Sequence, residues 1–194
     1  NAQVYPVLNG DKVYRYESVK CDSSSKDPAV YGYSNEEKSD VIDEHNVDSN
    51  GFCTACGAYE KPETDENGVY QISNAGELYW FAEYVRAGNV SVNAVLMNDI
   101  SVNGTKKQTN VSGYNGKDSV SWRQWIPIGK DHNNKYIGTF DGNNFTISGL
   151  YFNDTNQNFV GLFSYIGSNA KIKNVGVVNS YFKGYYNVGG VCGY

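Results

Sequence analysis

Residues 138–150 read Gly-Thr-Phe-Asp-Gly-Asn-Asn-Phe-Thr-Ile-Ser-Gly-Leu, two short runs of strand-forming residues on either side of an Asp-Gly-Asn-Asn turn. Asp, Gly and Asn favour turns because they tolerate left-handed backbone or hydrogen-bond to their own main chain. Thr, Phe and Ile favour strands. The stretch therefore predicts a fold built from brief strands that are separated by tight turns.

The same pattern extends over most of the C-terminal two thirds of the chain. Residues 158–165 align with residues 187–194 at a spacing of 29, and residues 146–152 echo residues 173–179. A strand-rich repeat of this length indicates a solenoid or a propeller. Short strands, turns rich in Asn and Gly, and interior Val, Ile, Leu and Phe favour a parallel β-helix. The candidate strands are residues 94–100, 125–128, 136–140, 145–152, 159–165, 172–182 and 188–194.

One amphipathic helix precedes these strands. Asn74 is placed to cap its N-terminus, Glu77 completes a box-like cap, and Gly88 is a C-terminal stop. We interpret the helix as a cover over the first rung of the solenoid, because an exposed sheet edge invites aggregation. The apolar residues that recur at helical spacing are Leu78, Phe81, Ala82 and Val85.

Charge is distributed unevenly along the 194 residues, whose net charge is −5. Residues 1–70 hold 6 basic and 14 acidic side chains, whereas residues 71–194 hold 10 and 7. This balance disfavours a nucleic-acid binder, which needs a basic face. No apolar run approaches the roughly 20 residues of a transmembrane helix. Because the charge changes within the polar stretch 60–68, we place a boundary there, between modules at 1–62 and 69–194.

The N-terminal module carries a candidate metal site. Cys53 and Cys56 lie in Cys-Thr-Ala-Cys-Gly and have the geometry of a zinc knuckle, since two thiolates three positions apart can reach one ion. Cys21 and His45 would complete a Cys3His set. Four protein ligands close a tetrahedral site, which indicates structural zinc. A module of some 60 residues with few large apolar side chains would be only marginally stable without a metal site of this kind.

Three alternatives to zinc stay open. Cys21 could form a disulfide with one of the other two cysteines in an extracellular protein. The Cys-x-x-Cys pair could be redox active, although no βαβ pattern surrounds it, or the thiols could be unliganded. In every case we expect a β-hairpin at the start of the module, because residues 4–8 and 13–19 are apolar and aromatic runs that flank Asn9-Gly10.

Both modules resemble known families. His45 with residues 51–58 resembles an H…G-x-C-x-x-C-G module, similar to a zinc ribbon, found in large surface proteins of gut Firmicutes. Residues 69–194 resemble the GLUG-repeat family, with residues 161–163 and 188–194 as repeat cores and residues 138–150 as the preceding rung. The resemblance implies β-helical stalks of bacterial surface proteins, and it implies a place on the cell surface more clearly than a reaction.

The sequence thus predicts a mainly β protein, with a small zinc-stapled β module followed by a right-handed parallel β-helix capped by one α-helix. Because residue 194 falls inside a repeat core, we expect the chain to be a fragment of a longer protein. We expect Asp141 to cap a turn, Cys192 to be a small buried apolar residue and His132 to lie in a solvated loop.

We expect a non-enzymatic extracellular module of the adhesin type, a stalk or a ligand-binding β-helix. We expect Tyr114, Trp122 and Trp125, on and beside the insertion 101–123, to be exposed aromatics that contact an extracellular ligand such as a host or dietary glycan or protein. An ordinary packed loop is the equally open alternative for this insertion. The alternative is a carbohydrate-active β-helix enzyme, a polysaccharide lyase or hydrolase. Such sites need converging carboxylates or a calcium cluster, and no pair of Asp or Glu shares a repeat position.

The metal assignment predicts the elemental composition of the purified protein at neutral pH. We expect one zinc per chain, with Cys192 as the single thiol outside the metal site. Absence of metal together with two thiols missing from a free-thiol count would indicate a disulfide. Absence of metal with four free thiols would favour the redox interpretation.

Overall fold

A computed structural model of the chain describes residues 45–54, 57–103 and 122–194 in full, and the backbone of four strands that precede them. The chain divides into two compact units, Asn1–Glu60 and Lys61–Tyr194. The described residues form thirteen strands and one helix. The predicted mainly β class is therefore confirmed.

The first unit contains one antiparallel sheet in chain order. Its strands are β1 (Ala2–Pro6), β2 (Lys12–Tyr16), β3 (Val30–Tyr33) and β4 (Val41–Asp43). β1 and β2 pair with Val4 opposite Tyr14, so the antiparallel pairing expected of the hairpin is confirmed, with each strand beginning one or two residues earlier than predicted. The Asn9-Gly10 turn lies outside the described residues.

A turn of sequence Asp-x-Asn-Gly occurs twice with the same hydrogen bonds, once in each unit. The aspartate Oδ1 accepts from the backbone N–H groups two and four residues later, at 2.9 and 3.1 Å for Asp48 and at 2.9 Å in both cases for Asp65. The glycine three residues after each aspartate has a positive φ, 78° and 74° respectively, which glycine adopts without steric cost. The motif reverses the chain between antiparallel segments at both places.

The second unit contains three parallel sheets of very short strands, with the orders β5-β6-β8-β11, β7-β9-β12 and β10-β13. The chain thus returns repeatedly to the same sheets in the same direction, and we call each return a pass. The strands are β5 (Tyr70–Ile72), β6 (Ala94–Leu96), β7 (Ile100–Ser101), β8 (Thr139–Asp141), β9 (Thr146–Ser148), β10 (Tyr151–Asn153), β11 (Lys171–Lys173), β12 (Gly176–Val178) and β13 (Tyr181–Lys183).

Register places apolar residues of successive passes side by side. Ala94 pairs with Phe140, and Phe140 pairs with Ile172 in the next strand. Ile147 likewise pairs with Val177. Phe140 and Ile147 are fully buried, whereas the residues that follow them in each strand are partly exposed. This alternation is the period of two expected for strands with one face in a core.

One of the two repeat alignments is confirmed in part and the other is wrong. Phe163 pairs with Cys192 at the predicted spacing of 29, whereas Val160 pairs with Val188 at a spacing of 28. By contrast, β9 pairs with β12 so that Thr146 lies opposite Gly176, which displaces the alignment of residues 146–152 with residues 173–179 by three positions. The error arose from matching Gly149 to Gly176. Gly149 has a φ of 74° in a turn, whereas Gly176 lies within a strand.

Helix α1 (Ala75–Arg86) forms as predicted. The Asn74 side chain accepts from the backbone N–H of Glu77 at 2.9 Å, and the Glu77 carboxylate accepts from the backbone N–H of Ser73. The helix stops before Gly88, whose φ is 116°. Its inward residue Phe81 has no exposed surface and contacts three aromatic rings, at Tyr70, Tyr136 and Phe140, with ring centroids 6.0, 6.1 and 6.0 Å away. The helix therefore packs directly on the aromatic core.

Two glycines of the stretch 138–150 lie where neighbouring passes approach most closely. A Cβ on Gly138 would collide with the backbone carbonyl of Val92 in an earlier pass. A Cβ on Gly142 would collide with the backbone carbonyl of Asn174 in a later pass. Backbone atoms cannot rotate away as a side chain can, so the spacing between passes requires glycine at both positions.

Replacing Gly142 with alanine tests this spacing. We expect Gly142→Ala to lower the free energy of unfolding by about 1–3 kcal/mol, because overpacking forces backbone shifts. Gly190→Ala is the matched control, since nothing lies within 4 Å of its Cβ position, and its effect should stay within about 0.5 kcal/mol. Urea denaturation of both variants measures the difference, and equal stabilities would contradict the packing argument.

Candidate functional site

The predicted metal ligands fall partly outside the described residues. Cys21 and Cys56 are not among them, so the four-ligand set stays a prediction. Cys53 is buried, with 4% of its surface exposed, and His45 is half-buried. Within the described ranges no three His, Cys, Asp or Glu side chains come together in a group that could hold a metal ion.

The backbone around Cys53 has the tight turn that a Cys-x-x-Cys-Gly sequence predicts. The N–H of Gly57 donates to the Cys53 carbonyl at 2.8 Å, and the N–H of Cys53 donates to the Ala58 carbonyl at 2.8 Å. Gly57 has a φ of 72°. This turn places the buried Cys53 beside the buried Ala58, an arrangement compatible with a structural knuckle.

Of the predicted aromatic contact residues, the two that the structure describes are not fully exposed. Tyr114 lies outside the described residues. Trp122 is half-buried and packs edge-on against Tyr151, with ring centroids 5.3 Å apart. Trp125 is only 1% exposed, and its indole N–H donates to the Gly161 carbonyl at 3.0 Å. The expectation that Trp125 is an exposed ring is therefore wrong, because the residue is part of the core.

The second unit has a groove of about 320 Å³, and Trp125 is the one residue of its lining that the sequence analysis singled out as a ligand contact. Its walls combine exposed amides, two cations and aromatic side chains with a single carboxylate, that of Asp154. The lining residues are Arg86, Gln124, Trp125, Ile126, Pro127, Lys130, Phe152, Asp154, Gln157, Asn158, Phe159, Val160 and Ser164. Hydrogen-bonding groups beside apolar walls are typical of small-molecule sites.

Arg86, at the end of α1, forms one side of this groove. Its guanidinium Nη1 donates to the backbone carbonyls of Pro127 and Gly129, at 3.3 and 2.8 Å. Burial lowers the pKa of Arg86, while the nearby carboxylates of Glu83 and Asp131 favour its charged form. The side chain thus joins the helix to the segment 127–129. From the sequence it was indistinguishable from an ordinary cation in the last turn of a helix.

Phe159 also lines the groove, and its backbone conformation is unusual. Its φ is +60°, a conformation rare for bulky residues and costly without support from the surroundings. The next pass supplies that support, since the Phe159 N–H donates to the Tyr186 carbonyl at 3.0 Å. The Phe159 ring also lies 4.7 Å from the Tyr165 ring and 5.4 Å from the Tyr194 ring. No sequence signal marks this residue, because strain depends on contacts made far along the chain.

The side chain of Asn158 is held in the same way. Its Oδ1 accepts from the backbone N–H of Tyr186 at 3.1 Å. The carbonyl of Gln157 accepts from the N–H of Tyr185 at 2.7 Å. Asp154 turns inward on its own loop, where Oδ1 accepts from the N–H of Asn156 at 2.9 Å. The loop that lines the groove is therefore fixed by the following pass of the chain.

Three single-residue predictions have clear outcomes. Asp141 caps a turn as expected, since its Oδ1 accepts from the Asn143 N–H at 2.9 Å and its Oδ2 lies 2.7 Å from Lys173 Nζ. The hydrogen bond from Lys173 keeps the pKa of Asp141 below its usual value. His132 is exposed, as predicted. Cys192 is half-buried rather than fully buried, although burial still raises its pKa.

Comparison with known proteins gives one partial similarity. No protein-family description matches the chain, and no solved structure matches it. A stretch of 57 residues, 29% of this chain, is 39% identical to a protein of Evansella cellulosilytica provisionally named a Gly-rich membrane protein. The match covers 6% of that protein's length. In the described part of this chain, α1 is far too short to cross a bilayer and no longer apolar helix occurs.

The role of Arg86 in the groove can be measured by stability. We expect Arg86→Met to lower the free energy of unfolding by about 1–3 kcal/mol, because the Pro127 carbonyl loses its guanidinium donor and the Gly129 carbonyl keeps only the Ser164 hydroxyl. Lys130→Met removes the same charge from an exposed position of the same groove, and its effect should stay within about 0.5 kcal/mol. Urea denaturation at pH 7 compares them. A loss as large in Lys130→Met would mean that charge and not hydrogen bonding matters.

Proposed function

We propose that the chain is a non-enzymatic, extracellular surface module that binds a ligand on a β-helical scaffold. Its C-terminal unit is, in this proposal, a right-handed β-helix of the GLUG-repeat type, with α1 as a cap. The support is the parallel pairing of every described strand pair of the unit, together with returns of 28 to 32 residues in its last pass. Parallel pairs require crossover connections, and regular short returns to three sheets suit a solenoid.

The observation that carries the binding function is the groove of Arg86 and Gln157. Its lining offers amides that both donate and accept, and cations that only donate. Polyhydroxylated ligands need mixed donors and acceptors of this kind. The rigid sheets hold the lining loops, and loops on a rigid scaffold commonly carry binding. A glycan or a polar protein segment therefore suits the groove.

The single carboxylate in the described lining of the groove argues against glycoside hydrolysis. Glycoside hydrolysis generally uses two carboxyl groups on either side of the scissile bond. The described lining has only Asp154, and one of its oxygens is engaged with the backbone of Asn156. A lone, turn-bound carboxylate suits recognition better than acid–base catalysis.

The first unit is, in the same proposal, stapled by structural zinc through Cys21, His45, Cys53 and Cys56. The turn in which the Gly57 N–H donates to the Cys53 carbonyl supports this assignment, because it is the tight backbone turn expected of a Cys-x-x-Cys-Gly knuckle. A closed four-ligand site leaves no position for substrate, so the metal stabilises the fold and does not act on a ligand.

Binding without turnover is the expected result with polysaccharides. We expect the protein to bind polygalacturonate, an acidic polymer, or dextran, a neutral one, in a calorimetric titration. Gln157→Ala should weaken that binding roughly two- to ten-fold, the worth of one or two hydrogen bonds. Asn156→Ala changes the adjacent exposed residue outside the groove and should leave affinity unchanged.

Two outcomes would contradict the proposal. Release of reducing ends or unsaturated products would identify a carbohydrate-active enzyme. Equal affinity of Gln157→Ala and the unaltered protein would place any ligand site outside the groove.

A further inference from the structure

Phe159, in the lining of the groove, has a backbone conformation that is otherwise adopted by Asn and Gly. Its φ is +60°, and every other residue with a positive φ in the described ranges is one of those two types. Left-handed backbone is less costly for Asn and Gly than for a residue with a bulky side chain. Phe159 is therefore an outlier among the turns of this protein.

The next pass shows which residue suits this position. Val160 pairs with Val188, so Phe159 occupies the same place in its pass as Asn187, whose φ is 55°. The backbone is the same at both places, because the Val160 N–H donates to the Asn187 carbonyl at 3.0 Å within one continuous pairing. The architecture thus accommodates Asn here and does not by itself require phenylalanine.

Core packing does not account for the phenyl ring. Phe140 and Phe163 form the core and have no exposed surface, whereas Phe159 is half-buried. Its ring lies 4.7 Å from that of Tyr165, which is half-buried as well. Strained residues cluster at binding sites, where the conformation holds a side chain in place for its ligand. A strained aromatic residue that lines a groove fits this description.

The two residues before Phe159 supply hydrogen-bonding groups. Gln157 and Asn158 are exposed and line the same groove. The Asn158 Oδ1 accepts from the Tyr186 N–H at 3.1 Å, which fixes a side chain whose Nδ2 is a donor. A sugar ring has an apolar C–H face and hydroxyl groups around its edge. An aromatic ring beside amides therefore matches the chemistry of a sugar.

Charge in and beside the groove favours an uncharged sugar. Burial lowers the pKa of Arg86, and the nearby carboxylates of Glu83 and Asp131 act against that shift. A hydrogen bond from a backbone N–H of its own loop lowers the pKa of Asp131, and the charge of Lys130 adds to the lowering. Asp154 is a third carboxylate beside these two cations. An anionic ligand would therefore meet no excess of positive charge.

We infer, resting on the proposed binding function of the groove, that Phe159 stacks a neutral pyranose ring there. The phenyl ring covers the C–H face of the sugar, while the amides of Gln157 and Asn158 bond with its hydroxyl groups. The contact with ligand is the reason that phenylalanine stands at a position of left-handed backbone. Removal of the ring should consequently lower affinity without lowering stability.

Calorimetric titration with a matched pair of polymers tests the ligand class. The acidic polymer is polygalacturonate, and the neutral one is polygalacturonate whose carboxyl groups have been methyl-esterified. We expect the neutral polymer to bind at least about three-fold more tightly, since its units meet no repulsion from the three carboxylates. Dextran, which is also neutral, should bind with an affinity that added salt leaves unchanged, because screening acts on charges.

Replacements of Phe159 separate binding from stability. Phe159→Asn introduces the residue type of the next pass and should weaken dextran binding about three- to ten-fold, because one aromatic contact is lost. Its unfolding temperature should be equal to that of the unaltered protein or up to about 4 °C higher, because backbone strain is relieved. Phe159→Leu lacks the ring but keeps the strain, so it should lose affinity without that gain. Phe159→Tyr keeps the ring and should keep the affinity.

Three results would overturn the inference while the groove remains the binding site. The first is unchanged dextran affinity in Phe159→Asn together with weaker binding by Gln157→Ala. The second is an unfolding temperature of Phe159→Asn that falls by more than about 4 °C, which would identify the ring as a packing residue. The third is tighter binding of polygalacturonate than of its methyl ester.

Failure of the proposed function gives a different pattern. If none of the three polymers binds, or if every variant binds as the unaltered protein does, the groove is not the ligand site and the role of Phe159 falls with it. Circular dichroism of each variant checks that the fold is retained.

Discussion

Parallel pairing between strands of two or three residues is the constraint on which the second unit depends. Such strands are not stable by themselves, since even a two-stranded hairpin is marginal in water. They persist because each pass places its apolar residue beside that of the pass before, as in Ala94, Phe140 and Ile172. Neighbouring strands lie only about 4.8 Å apart. This spacing explains why Gly138 and Gly142 stand where adjoining backbones would meet a Cβ.

The turns between these strands account for the unusual content of Asn. Short strands require frequent reversals, and several reversals use left-handed backbone. Asn is the non-glycine residue that best tolerates this conformation, because its short side chain hydrogen-bonds locally. Phe159 is the exception in the groove loop. The asparagines with positive φ are Asn143, Asn144, Asn174, Asn179 and Asn187.

The functional features follow from the same architecture. The helix inserted between β5 and β6 buries Phe81 on the aromatic core and thereby presents Arg86 to the segment 127–129. The groove loop is ordered by the following pass through Tyr185 and Tyr186. A polar groove thus arises as a by-product of the pairing between passes.

Local signals were readable from the sequence wherever one residue determines one conformation. The cap at Asn74, the stop at Gly88 and the turn at Asp141 were predicted correctly, because each depends on hydrogen bonds within four residues. The mainly β class followed from the same local preferences.

Register and burial were decided only by the tertiary structure. Gly149 and Gly176 look equivalent in the sequence, yet one lies in a turn and the other in a strand, so the predicted alignment was displaced by three residues. Trp125 was expected to be an exposed aromatic residue, but it is buried and its indole N–H donates to the Gly161 carbonyl. The groove of Arg86, Gln157 and Phe159 was not predicted from the sequence, which singled out only Trp125 of its lining. Its residues are brought together by pairing between distant passes, and pairing energy depends on partners that a single segment does not contain.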